Sequence, residues 1–413
     1  MLILSILLLQ IAVILGVSRA LGVCFEKIHQ PQVVGEMIAG VALGPSLLGM
    51  LAPGVFNAIF PSSTLDYVNA LSQVGLVVFM FLVGLELSPT VMGKVRHEAI
   101  VISHTSIIVP FALGTLLAVF LYKRVSDPKI AFLHFALFIG VSMSITAFPV
   151  LARILTETRI LSTPVGTVTM AAAAVDDATA WTILAGVVLV VSASVSSLPF
   201  WVIPFGAVIY ALFMVFIGRR WLKILEARAV TDGNLSQNWL SLILLLVVIS
   251  ALVTESLGIH PLFGAFLLGV IMPKGIAFVQ DLKKRLEDLV VVLLLPLYFA
   301  YTGLRTSVGL ITAPETLFFF GLILVVAISG KFCGACFASK ITGMTWREAS
   351  AVGVLMNTRG MVELVALNIG LDIGVISPLM FTLLVLMAIL TTVMTTPLLE
   401  LVHPGLAGRQ KSR

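Results

Sequence analysis

The sequence predicts an all-α polytopic membrane protein. Three observations carry that prediction: an apolar content above that of soluble domains, a succession of helix-length apolar runs, and a one-sided placement of positive charge. Of 413 residues, 59% are hydrophobic and 11% charged, against roughly 45–50% and about 25% in soluble domains. A bilayer span needs about 20 mostly apolar residues. Runs of that kind lie near 1–23, 33–50, 68–88, 98–122, 130–155, 163–192, 199–217, 236–256, 259–274, 288–304, 315–339, 346–371 and 378–402, which makes thirteen expected spans.

The charge pattern orients them. Met1-Leu2-Ile3-Leu4 has no basic residue ahead of its apolar run, unlike a signal peptide, so the first run reads as a retained span with its N-terminus outside. Thirteen spans then put the C-terminus in the cytoplasm. In that register eighteen of the 25 Lys and Arg fall on the inner side, from Arg19 and Lys27 through Lys94, the Arg219–Lys223 and Lys283–Arg285 clusters, Lys340 and Arg347 to Lys411. Only Lys123, Arg124, Lys129 and Arg305 fall outside, as the positive-inside rule requires. The net charge of +5 therefore belongs to cytoplasmic loops of a cell-membrane protein, not to a nucleic-acid surface. Cys333-Gly-Ala-Cys336 has metal-like spacing but sits in an apolar run without a second ligand pair, and reads as packing.

The chain also echoes itself. Gly35-Glu-Met-Ile-Ala-Gly40 with Pro45 corresponds to Gly264-Ala-Phe-Leu-Leu-Gly269 with Pro273. Gly84-Leu85-Glu86-Leu87-Ser88 corresponds to Gly303-Leu304-Arg305-Thr306-Ser307, and Gly140-Val141-Ser142-Met143 to Gly353-Val354-Leu355-Met356. Each pair is seven spans apart, and an odd offset inverts the orientation, as in many secondary transporters. The expected plan over 1–402 is a first repeat (1–192), a linking helix (199–217) and an inverted second repeat (236–402). A short cytoplasmic tail (403–413) follows, with no nucleotide-binding motif.

Charged residues inside spans are costly and mark function by default. Asp176 and Asp177 lie mid-span in Ala-Ala-Ala-Ala-Val175-Asp176-Asp177-Ala178. Adjacent helical residues diverge by about 100°, so one carboxylate can face a cavity while the other meets a protein partner. Burial and like charge disfavour ionising both, which lets a proton and a small cation compete for the same oxygens. That competition is what an antiporter needs. Lys331, mid-span in Ile328-Ser-Gly-Lys331, is the expected partner of Asp176.

Two further segments look like interrupted helices in corresponding repeat positions. One is Ser142-Met-Ser144-Ile-Thr146-Ala-Phe-Pro149, where a mid-span proline frees backbone groups that hydroxyls can satisfy. The other is Asn357-Thr358-Arg359-Gly360-Met-Val-Glu363, whose Arg359 and Glu363 are spaced to pair; structural pairing and direct ion handling both remain open for them. Glu36, Glu86 and Arg305 lie near span ends and rank second, and His260 reads as a loop or cap residue.

At these residues the chain resembles the monovalent cation:proton antiporters of the Kef and sodium/proton-exchanger group. Val34-Gly35-Glu36 through Gly44-Pro45, Phe81-Leu-Val-Gly84-Leu85-Glu86-Leu87, Thr146-Ala147-Phe148-Pro149-Val150-Leu151-Ala152-Arg153, Ala173-Ala174-Val175-Asp176-Asp177, Gly258-Ile-His260-Pro261 and Asn357-Thr358-Arg359-Gly360-Met361-Val362-Glu363-Leu364 carry the match. The resemblance implies a homodimer with a dimerisation domain and a mobile core of crossed, unwound helices, working by elevator-type alternating access. It implies that Asp177 binds cation and proton in turn, that Asp176 pairs with Lys331, and that Thr146 faces the ion. Asp176, where gated potassium-efflux members carry Gln and electroneutral exchangers Asn, points to electrogenic Na+/H+ exchange without any organic cofactor, with K+ as the second possibility. A cation channel or a cation-sensing membrane protein is the competing reading.

Overall fold

The computed structural model describes residues 3–28, 30–86, 96–195, 202–223, 230–231, 234–258 and 260–404. Leu87 and Ser88, Lys94, the first residues of the linking run at 199–201, and 405–413 of the expected tail lie outside them. The helices are α1 (Ile3–Lys27), α2 (Gln32–Leu43), α3 (Leu48–Leu51), α4 (Pro53–Ile59), α5 (Ser62–Glu86), α6 (Arg96–Val125), α7 (Phe132–Ser144), α8 (Phe148–Glu157), α9 (Pro164–Val195) and α10 (Val202–Phe213). They continue with α11 (Gln237–Ser256), α12 (Pro261–Ile271), α13 (Ile276–Leu289), α14 (Leu295–Leu304), α15 (Pro314–Ile341), α16 (Trp346–Met356), α17 (Met361–Asp372) and α18 (Pro378–Val402). A two-residue antiparallel ladder, Val230–Thr231 with Asn234–Leu235, is the sole strand pairing among the described residues. The architecture is otherwise helical, as a chain that must satisfy its backbone inside lipid requires.

Eleven of the described helical spans are long and apolar enough to cross a bilayer, and α16 with α17, bent by 42° at their break, make a twelfth. The run at 259–274 explains the difference from thirteen. Its helix, α12, has 11 residues, which at 1.5 Å each reach about 16 Å, well short of a hydrocarbon core of about 30 Å.

The chain divides into two compact units. The first comprises Met1–Leu15, Phe60–Pro89 and Ala185–Tyr301. Within it α5 and α12 pack at a glycine contact: a Cβ on Gly84 would strike the carbonyl oxygen of Phe266, and one on Gly269 that of Phe81. Lys274 closes this contact by donating to Gly84 O (3.0 Å), Leu85 O (2.7 Å) and Gly269 O (2.9 Å). These carbonyls lie in the last turns of two helices, where intrahelical donors run out. Glu86 pairs with Lys283 on α13.

The second unit comprises Gly16–Ile59, Thr90–Leu184 and Thr302–Arg413. A matching contact occurs here, where a Cβ on Gly303 would strike the backbone of Gly40 and one on Gly44 the carbonyl of Gly303. Ser46 donates to Thr306 O at 2.7 Å, again closing the end of the partner span. Along α15, Gly330 and Gly334 face α6, where added Cβ atoms would lie 3.0 Å from Pro110 and 2.9 Å from Thr105 O. This small-xxx-small stripe brings the two backbones together and sets Lys331 beside Ser106.

Candidate functional site

Both interruptions occur in the second unit. The first break, Ile145-Thr146-Ala147, separates α7 from α8. It lies ahead of Pro149 rather than at it. Proline is well suited to a first helical turn but disfavours helix in the residues before it. The second break, Asn357-Thr358-Arg359-Gly360, separates α16 from α17.

The breaks meet backbone to backbone: Ala147 N donates to Thr358 O at 3.0 Å. Thr146 Oγ1 donates to Met356 O at 2.9 Å. The buried Arg359 guanidinium reaches back to the end of α7, donating to Ser142 O and Met143 O, each at 2.7 Å. It also pairs with Glu363 at 2.9 Å, and both side chains of that pair are fully buried. Ser144 Oγ donates to Gly140 O (2.7 Å) and lies 3.1 Å from Ile107 O. Each break thus supplies partners for groups that the other leaves unsatisfied, the accounting that buried polar backbone demands.

Asp176 and Asp177 of α9 are fully buried. Thr146 N donates to Asp176 Oδ2 at 3.1 Å, and Ser106 Oγ of α6 donates to Oδ1 at 2.8 Å. Lys331 Nζ of α15 lies 3.2 and 3.3 Å from the two carboxylate oxygens and 2.6 Å from Thr146 Oγ1. Thr146 therefore accepts from the ammonium with its hydroxyl, donates that hydroxyl's own hydrogen to Met356 O, and presents its amide to Asp176. An ammonium and an ionised carboxylate cancel here.

Asp176, Thr146, Lys331, Arg359, Glu363, Ser142 and Thr358 are joined by these bonds around the two breaks. Pro149 opens α8, and Asn357 is buried at the C-terminus of α16. Glu36 is half-buried on α2, Glu86 belongs to the first unit, and His260 caps the N-terminus of α12. Arg305 is tied to Asp372 at 2.6 Å and to Asn368 at 3.1 Å. The hydroxyls of Ser106 and Thr392 were not singled out by the sequence reading: each stands in an ordinary apolar helix, and spacing gives no sign of their partners.

The family profile described as "Sodium/hydrogen exchanger, transmembrane" matches residues 11–401. The chain belongs to the sodium/hydrogen exchanger family. It is a membrane-embedded monovalent cation/proton antiporter, carrying Na+ or K+ against H+, and its family is one of transporters rather than enzymes. Among its relatives, the Na(+)/H(+) antiporter NhaS4 of Synechocystis is 43% identical over 407 residues, covering 98% of both chains. The Cation/H(+) antiporter 17 of Arabidopsis thaliana is 39% identical and the K(+)/H(+) antiporter 1 of Saccharomyces cerevisiae 36% identical, each over 97% of this antiporter. The antiporter spans about half the length of those two relatives (49% and 47%). Its fold is that of the sodium proton antiporter MjNhaP1 from Methanocaldococcus jannaschii, with a TM-score of 0.68 at 14% identity over 97% of this chain and 99% of the other.

Proposed function

We propose that this antiporter exchanges Na+ for H+ electrogenically, with Asp177 binding the two in turn and Asp176 as its charge-balanced neighbour. The observation that carries the reading is the buried Asp176–Lys331–Thr146 assembly at the meeting point of the breaks. With Asp176 paired to Lys331, Asp177, buried one residue further along α9, is the carboxylate assigned to the competition between a proton and a cation. One cation for one proton would be electroneutral. A second proton needs a second titratable group in the site, and Lys331 is bonded into it.

The transport cycle is alternating access of an elevator type in a homodimer, the unit with both breaks and both aspartates moving as a body. Supporting this, the residues of the assembly all belong to one compact unit. The inverted-repeat plan has its own support. Under the sequence correspondence Gly84 maps to Gly303 and Gly269 to Gly40, and the Gly84–Gly269 contact recurs as Gly303–Gly40. The similarity to a protein named a K(+)/H(+) antiporter makes K+ the second reading of the cargo.

Purified protein in liposomes loaded with a pH-sensitive dye, given Na+, K+ or Li+ in turn, tests the reading. Na+-driven proton movement that responds to an imposed membrane potential and is lost in Asp177→Asn is the expected result. Full exchange in Asp177→Asn would sink the assignment of the carrier, and a preference for K+ would replace the cargo.

A further inference from the structure

The second break leaves the amide and the carbonyl of Arg359 outside any helix, and one side chain takes up both. Thr392, on α18, accepts from Arg359 N at 3.2 Å and donates to Arg359 O at 2.7 Å. Its hydroxyl also lies 2.8 Å from Ala388 O on its own helix, the usual resting partner of a helical threonine. One turn along the same face, Thr395 Oγ1 lies 3.4 Å from Thr358 Oγ1, a weaker contact to a side chain. Both threonines are buried. Within a bilayer no water replaces a lost partner, and an unsatisfied backbone group costs several kcal/mol.

Arg359 is also the residue whose guanidinium holds Ser142 O and Met143 O at the end of α7. The next residues of that chain carry Thr146, whose amide holds Asp176. A continuous path therefore runs from α18 through the Arg359 backbone and guanidinium to the first break and the ion site.

We propose that Thr392 is a positioning residue for cation exchange: its hydroxyl replaces the missing helical partners of Arg359 and thereby sets the registration of the two breaks. It touches neither aspartate and acts through Arg359. The inference rests on the assignment of the Asp176–Asp177 segment as the ion site. Thr392 should therefore govern how well the site fits its cation rather than how fast a loaded carrier turns over.

The experiment measures apparent cation KM, maximal rate and thermal stability in proteoliposomes for Thr392→Ser, Thr392→Cys, Thr392→Val and Thr395→Val, beside Asp177→Asn. Losing this hydrogen bond is expected to raise KM about tenfold in Thr392→Val with the maximal rate largely kept. Thr392→Ser should stay within twofold of wild type, Thr392→Cys should fall between, and Thr395→Val should leave KM within twofold. Thr392→Val is isosteric, so packing is kept; if it fails to fold, the Cys variant reads the same effect. An unchanged KM in the folded Val or Cys variant overturns the proposal. So does a Ser variant as impaired as Val, which would assign the effect to the methyl group. Failure of the ion-site assignment is separately visible as transport in Asp177→Asn.

Discussion

Three groups hold Asp176: the Ser106 hydroxyl, the Thr146 amide and the Lys331 ammonium. Breaking a buried ion pair from one side leaves an uncompensated charge, at a cost of about 3–5 kcal/mol. Removing both members costs less. Lys331→Met is therefore expected to lower the melting temperature strongly and abolish exchange. Lys331→Met with Asp176→Asn should regain most of the stability without regaining transport. Thermal unfolding in detergent and dye-monitored exchange measure the two effects; a single variant with wild-type stability would remove Lys331 as the partner. Ser106→Ala deletes a hydrogen bond to a charged group, worth roughly 1.5–3 kcal/mol, and should reduce stability and cation affinity together. Unaltered melting and KM would remove Ser106 from the site. The aspartates and Lys331 were legible in the sequence because charge inside an apolar run is conspicuous. Ser106 was not, because serine is common in membrane helices and its partner stands 70 residues away, chosen by the packing of α6 rather than by local spacing.

Packing at that level belongs to helices, and glycine decides it. A Cβ at Gly303 would collide with the backbone of Gly40, and one at Gly84 with the backbone of α12; neither obstacle is a side chain that could rotate aside. Gly303→Ala and Gly84→Ala are thus expected to destabilise by about 1–3 kcal/mol or more. Gly321→Ala, where nothing lies within 4 Å, should be neutral or stabilise α15 by up to about 1 kcal/mol. Melting curves of the three variants that fail to separate in this order would contradict the contacts. The close-packed glycines, the long apolar runs and the two interrupted segments were all readable from the sequence, since run length and Gly/Pro placement are local signals. Two features were not. Hydropathy could not distinguish a full span from the 11-residue α12, because apolar loop residues extend the run. The first break could not be placed ahead of Pro149 without knowing that Thr358, Arg359 and Asp176 take up the freed backbone groups.

Across the whole molecule the proposed inverted repeat makes one demand that local geometry leaves open: the second half should run through the membrane upside down relative to the first. Positive charge argues for it: in the expected register Lys129, ahead of the first interrupted helix, is one of the few outer basic residues, while Lys340, ahead of the second, and Arg347, in its first turn, are inner ones. Lys129 and Arg347 are both exposed and occupy corresponding segments of the proposed repeats, ahead of α7 and within the first turn of α16. Cysteine accessibility reads their sides directly. The native Cys24, Cys333 and Cys336, none in a disulfide, are first replaced by Ser or Ala in a variant that still exchanges cations. In intact cells an impermeant thiol reagent should then label Lys129→Cys and spare Arg347→Cys, and permeabilised cells should label both. Equal labelling of the two from outside would make the repeats parallel. A parallel arrangement gives the two breaks the same polarity, whereas inversion lets the ends of α7 and α16 approach from opposite membrane faces. Under the proposed inversion, the Arg359 guanidinium of the second break would come to the carbonyls that end α7 from the opposite side, which accords with its bonds to Ser142 O and Met143 O.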